Sequence, residues 1–432
     1  MNLIFFRISA YIAIFAAYIL FMHSYAPLGI YWQDYHAQRI FNAVEFLKLN
    51  GYLSHYGYTI WDYCTDCSLE ASGWQGRIYF SANAIIFFPY IILNHFGGKE
   101  SLLLLGPLFD KFLILLCGSL LAELFIKSTK NLVDVSPFLI GIASFILFIF
   151  APWTYQMIIA MWYEVYFLIF FLIGILAFLK NKTSWGYLAF FLAGLFHYQW
   201  AIAVGAFYCL LEAAKYFYIK NAHIEKFFPP FHGSQIQRIK VASFLIIPTF
   251  IIISMRLFAQ QYIEAGTGSS LLFRMGISGI DIHNGGLLGA LQFLGGIRVT
   301  QCFKGIGIEA FSGDLNMKIA VFNCLLSWIG MAIISVISIF GCYLFIKQSN
   351  LGKQILLPLL FAMILFIAVL QQSLSVHLMG YSFIFSALFS AGIIMLMISI
   401  HNRLTSPVLG LIFAIPCLIG VSLLSIRVSM LF

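Results

Sequence analysis

The sequence predicts an all-α polytopic membrane protein of about eleven transmembrane helices, a single transmembrane domain over residues 1–432. Three observations predict it. The chain is 62% hydrophobic and only 9% charged, with a mean hydropathy of +0.95, a surface that water could not solvate. Apolar runs of about twenty residues, the length that crosses a bilayer as helix, recur throughout. The basic residues gather in short segments between those runs, which sets orientation by the positive-inside rule. The net charge of +8 is therefore a topological signal, and no basic, aromatic-interleaved patch points to nucleic acid.

Taken in order, the first span runs from about Leu3 to Met22. It has Arg7 near its inner end and no A-x-A-like cleavage site after it, so it is read as retained. Further spans are expected at about 101–126, 137–152, 157–179, 241–259, 319–346, 354–371, 379–400 and 407–428. The apolar run 185–213 is too long for one crossing. The polar turn His197-Tyr198-Gln199 divides it into two short helices.

Residues 79–96 are long enough to span but carry Ser81, Asn83, Pro89 and Asn94. Charge decides their place. If they crossed, Lys127, Lys130, Lys180 and Lys182 would all lie outside. If they only dip into the outer leaflet, those lysines lie inside, together with Lys215 through Lys240, Lys347, Lys353 and Arg403. The expectation is eleven crossings, with the N-terminus inside and the C-terminus outside. Two large outer loops result, 23–100 and 260–318, and the first of them contains an interfacial or re-entrant 79–96.

The inner loop at about 214–240 is basic and contains Pro229-Pro230 and Gly233. It has no G-x-x-x-x-G-K-[ST] and no strand-turn-helix context for a dinucleotide loop, which argues against a nucleotide-sugar donor or an ATP-driven pump. No internal repeat is evident, which weakens a secondary transporter.

The residues able to carry chemistry lie mostly outside. Asp34, in Trp32-Gln33-Asp34-Tyr35-His36, follows the first span directly. It precedes an amphipathic stretch in which Ile40, Phe41, Val44 and Leu47 recur at helical spacing. Its plain alternative role is an N-cap of that helix. Trp32, Tyr35 and His36 beside it suit sugar stacking and proton sharing. Trp61 belongs to a strongly aromatic stretch of the same loop, which an interfacial aromatic belt would explain equally well.

Cys64 and Cys67 are the only close cysteine pair and read as a disulfide in an oxidising compartment; the other span cysteines read as core packing. Glu164 lies near the outer end of its span, as a site residue or as half of a buried pair. Asp110 and Lys111 fall mid-span, with Glu123 lower on the same helix, and structural pairing to other helices is expected of all three. His197 sits at an outer turn, facing a head-group or serving as a structural hydrogen-bonder. In the second loop Asp281 and His283 stand in a Gly-rich segment, and Arg274, Arg298 and Lys304 suit a lipid phosphate. A solvated loop is the alternative there.

This arrangement resembles the GT-C superfamily, membrane glycosyltransferases that use polyprenyl-phosphate sugar donors. The resemblance rests on Asp34 with the helix at 35–49, on Ser81 to Gly97 ending in Phe96-Gly97 before the next span, and on the short helix pair around Gly194-Leu195-Phe196-His197. It covers about 1–215; beyond that, residues 241–432 share only span count and a late outer loop. In size and span number the chain is similar to the serotype-converting O-antigen glucosyltransferases. The resemblance implies that Asp34 is catalytic, the donor is a polyprenyl-phosphate sugar, and the acceptor is a glycan or glycolipid. It also implies a bacterial inner membrane with the site facing the periplasm. Two features depart from the family pattern: Gln33-Asp34 replaces the frequent paired acids, and no D-x-D metal motif is present. The residues call for no cofactor, and a divalent metal is left open without a motif to support it. Membrane lipid is an implied partner and nucleic acid is not.

Two other classes remain open. A polysaccharide polymerase or ligase would work through His283 and Arg298 of the second loop. A flippase or transporter would use Asp110, Lys111 and Glu164.

Overall fold

The computed structural model describes residues 2–25, 37–51, 58–60, 78–130, 132, 136–159, 164–217, 236–262, 315–369 and 378–402, and scattered positions within 415–423. The chain is a helical integral membrane protein. Its described elements are α1 (Asn2–Tyr25), α2 (Ala37–Asn50), β1 (Tyr58–Ile60), β2 (Ile78–Asn83), α3 (Ala84–Thr129), α4 (Pro137–Ile149) and α5 (Pro152–Ile159). There follow α6 (Glu164–Leu179), α7 (Thr183–Phe196), α8 (Tyr198–Phe217), α9 (Ile236–Tyr262), α10 (Leu315–Gln348), α11 (Asn350–Val369) and α12 (Leu378–His401). Among the described residues, four stretches are long and apolar enough to cross a membrane: Ile4–Ser24, Ile85–Thr129, Arg238–Met255 and Ile329–Gln348. Shorter apolar helices, among them α4, α6 and α7, fill the bundle between them.

The polar contacts identify one end of the bundle. Arg7 of α1 makes a two-pronged bond to Glu123 of α3, Nε to Oε1 and Nη2 to Oε2, each 2.7 Å. Lys127 near the end of α3 and Lys180 just after α6 lie close enough for their charges to interact. The Ser349 hydroxyl donates to the Ser128 carbonyl at 3.2 Å, and Asn402 Nδ2 donates to the Leu132 carbonyl at 2.9 Å. The ends of α1, α3, α6, α10 and α12 therefore share one face, where the lysines collect. That is the grouping expected of an inner surface.

α1 runs alongside α4 in the same direction, with ring pairs Phe6–Phe138, Tyr11–Phe145 and Tyr18–Phe150 in sequence. The expected division at His197 is present, since α7 ends at Phe196 and α8 begins at Tyr198. α9 packs closely on both, and a Cβ on Gly194 would overlap the Leu245 carbonyl. α10 and α12 cross where Gly341 meets Gly392, with Ser338 Oγ donating to the Phe389 carbonyl at 3.1 Å. Small residues let backbones approach in this way where lipid supplies no hydrophobic drive.

Four expectations change. First, the 79–96 segment is not one apolar stretch. Ile78–Asn83 pairs antiparallel with Tyr58–Ile60, as β-branched and aromatic residues favour, and helix begins only at Ala84. Second, the boundary near 152–157 is a helix of its own. Pro152 cannot continue α4, so the chain breaks at Phe150-Ala151 and restarts as α5, with Thr154 Oγ1 donating to the Phe148 carbonyl at 2.6 Å. Third, the helix expected at about 101–126 runs on to Thr129, with Asp110 about 26 Å along it from Lys127. Fourth, Cys117 and Cys342 are buried as expected, but Cys209 lies exposed on α8.

α3 is two helices in one. Gly98 has φ 64° and ψ −159°, a conformation essentially restricted to glycine. The 84–97 arm is about 21 Å long, too short to cross a ~30 Å hydrocarbon core. Tyr90, on that arm, hydrogen-bonds Asp110, on the arm after Gly98. The two residues lie about 12 Å and 18 Å from the bend along their arms. Their side chains meet only if the arms fold back at an acute angle. Gly97-Gly98 is a hairpin, next to the Phe96-Gly97 pair on which the family resemblance partly rests.

Candidate functional site

The hairpin carries a second core separate from that of the bundle. Ile40, Ala43, Val44 and Leu47 of α2 pack on Ile86, Phe87, Tyr90 and Leu102 of the two α3 arms. The amphipathic pattern of 37–50 makes this helix: its apolar stripe buries here, while Lys48 and Leu49 stay exposed. Two polar bonds add to the apolar contact. Asn94, buried on α3, donates from Nδ2 to Glu45 Oε1 of α2 at 2.7 Å. At the hairpin tip the Lys99 ammonium sits 4.8 Å from the centre of the Phe41 ring.

The hairpin rests on the bundle through aromatic rings and one carboxylate. The Tyr90 hydroxyl donates to Asp110 Oδ1, and both residues are buried. Phe109 meets the Tyr90 ring edge-on at 5.9 Å. Tyr166 of α6 stacks on Phe196 of α7 at 4.7 Å, with its buried hydroxyl beside Tyr90 and Asp110. Phe196 packs against the hairpin core as well. The start of α6 and the end of α7 thus meet the hairpin formed by the two arms of α3.

His197 is among the buried polar residues and closes α7 onto α8. Its amide donates to the Ala193 carbonyl at 3.1 Å, and its Nδ1 accepts the Trp200 amide at 3.3 Å. That is a helix cap, the structural alternative for this residue. Glu164 opens α6, two residues before Tyr166, with its backbone at the same outer end. Glu123 pairs with Arg7 and Asp110 with Tyr90, so both acids are held by other helical segments, as expected.

Trp32, Asp34, Tyr35, His36, Trp61, Cys64, Cys67, Arg274, Asp281, His283, Arg298 and Lys304 lie outside the described residues. Among the described residues no three His, Cys, Asp or Glu side chains converge as a metal site would require. What the described residues build is a hairpin with α2 docked on it, joined to the bundle near α6 and α7. Sequence reasoning singled out Asp110 but missed its partner, Tyr90, and missed Asn94–Glu45. The available signal was the cost of an acid in an apolar run, which demands a partner. No family model, curated protein or solved structure matches the chain.

Proposed function

We propose that the protein is an inverting glycosyltransferase of the GT-C type, moving a sugar from a polyprenyl-phosphate donor to a polysaccharide, lipid or protein acceptor on the outer membrane face. The observation that carries the reading is the juxtamembrane unit: α2 docked on the 84–97 arm, folded back at Gly98 onto the outer end of the bundle. Such a unit gives a lipid-borne substrate a protein surface at head-group depth, and the sequence puts Asp34 three residues before it. The gathering of basic residues at the opposite end supports eleven crossings, an inner N-terminus and a periplasm-facing site in a bacterial inner membrane.

In this reading the Asp34 carboxylate takes the proton of an acceptor hydroxyl. The hydroxyl oxygen bonds the anomeric carbon as the bond from that carbon to the phosphate oxygen breaks, inverting the centre. Polyprenyl phosphate leaves unprotonated, its charge met by Arg274, Arg298 or Lys304. Trp32, Tyr35, His36 and Trp61 offer stacking faces and polar groups to the sugars.

A transporter is disfavoured by the position of Asp110. It is buried and accepts the Tyr90 hydroxyl, which does not suit an open transport site.

The test is a transfer assay with purified protein in lipid nanodiscs and a panel of undecaprenyl-phosphate-linked hexoses, reading release of undecaprenyl phosphate. Loss of release on substituting Asp34, but not His283 or Glu164, supports this reading. Loss at His283 alone would mean a polymerase or ligase.

A further inference from the structure

Asp110 has no place in the chemistry proposed above, yet it is a buried carboxylate that accepts a hydrogen bond from Tyr90 on the other arm of the hairpin. Its position invites a role at one remove. The Asp110 side chain receives the Tyr90 hydroxyl. One turn further along the same arm Asn94 bonds Glu45. Glu45 lies on α2, whose first residue is Ala37. Two polar links thus run in series from the transmembrane arm of α3 to the helix that Asp34 precedes.

The apolar contacts in this unit are non-directional and would tolerate sliding. The two hydrogen bonds are directional and fix register. A buried carboxylate also favours this arrangement over any in which it has lost its donor.

We propose that Asp110 is a positioning residue for the transfer reaction: through Tyr90, and then through Asn94 and Glu45, it holds α2 at the depth from which Asp34 reaches a lipid-borne substrate. The inference rests on the glycosyltransferase reading. Asp110 itself touches no substrate. What it sets is the placement of a base, and small misplacements of reacting groups cost rate far more than binding.

The experiment uses three variants in the full-length protein. Tyr90→Phe removes the donor, Asp110→Leu removes the acceptor, and Asp110→Asn keeps an accepting oxygen without the charge. Release of undecaprenyl phosphate from undecaprenyl-phosphate-linked hexose is measured alongside amide hydrogen exchange. Tyr90→Phe and Asp110→Leu are expected to lower kcat by about tenfold, with KM for the donor nearly unchanged. Exchange should rise in 37–50 and 84–97 and not in α6, α8 or α12. Asp110→Asn should keep most of both, and the Tyr90→Phe/Asp110→Leu double variant should be no worse than either single one.

The proposal is overturned if Asp110→Asn is as inactive as Asp110→Leu with exchange unaltered, because the charge itself would then be acting. It is equally overturned if Tyr90→Phe leaves rate and exchange at wild-type values. Should Asp110→Leu not fold, the Tyr90→Phe and Asp110→Asn pair decides alone. If Asp34→Asn retains full transfer, the glycosyltransferase reading fails, while the exchange data still decide whether Asp110 holds the hairpin.

Discussion

The α2–α3 hairpin and the crossing of α10 with α12 both hold helices together, but by different physics. In the hairpin the contact is a cluster of large side chains, Ile40, Val44 and Leu47 against Ile86, Phe87 and Tyr90. At the crossing it is the absence of side chains: Gly341 faces Gly392, and Ser338 bonds a backbone carbonyl. An amphipathic helix at the membrane surface gains by removing apolar area from water. Inside the bilayer that gain is nearly absent, and close backbone approach with hydrogen bonds takes its place. The glycines divide the same way. Gly98 is needed for its dihedral angles, with open space around it, whereas Gly341 is needed for space within a regular helix.

Three substitutions sharpen this contrast, and the largest effect falls at the crossing. Gly341→Ala puts a methyl group into the Gly392 backbone, where no side chain can yield. It should cost about 3 kcal/mol, at the upper end for overpacking, seen as a lowered Tm in detergent. An unchanged Tm would mean that the helices do not meet there. Leu47→Ala should cost about 2–3 kcal/mol but locally, raising amide exchange in 37–50 and 84–97 while α12 stays protected. Exchange spread over the whole bundle would show that the two cores are one. Gly98→Ala should be the mildest, about 1–2 kcal/mol of backbone strain, confined to the hairpin. A shift in the exchange of α10 would contradict that confinement.

Much of the helical plan could be read from the sequence because turns in an apolar chain need polar residues. His197-Tyr198-Gln199 interrupts a run of carbons, and the structure divides there. Phe96-Gly97 stood before the next span, but the acute bend at Gly98 depends on Tyr90 meeting Asp110 across twenty residues. Partners such as Arg7 with Glu123 stayed hidden because nothing local encodes which helix an ion faces. Burial was hidden for another reason. Within a bilayer an apolar residue suits lipid and core alike, so periodicity loses its meaning and Cys209 reads the same as Cys117. The short strands escaped because Ile78-Tyr79-Phe80 merges with the helix that follows. Of the candidate site, the loop residues lie outside the described structure, which shows the hairpin on which α2 docks.

The most direct test of the central claim is the rate at which Asp34→Asn protein, matched to wild type in folding and donor binding, releases undecaprenyl phosphate from an undecaprenyl-phosphate-linked hexose that wild type consumes. The proposed mechanism predicts loss of turnover with donor affinity unchanged, because the amide cannot accept the acceptor's proton. Turnover at the wild-type rate would contradict it.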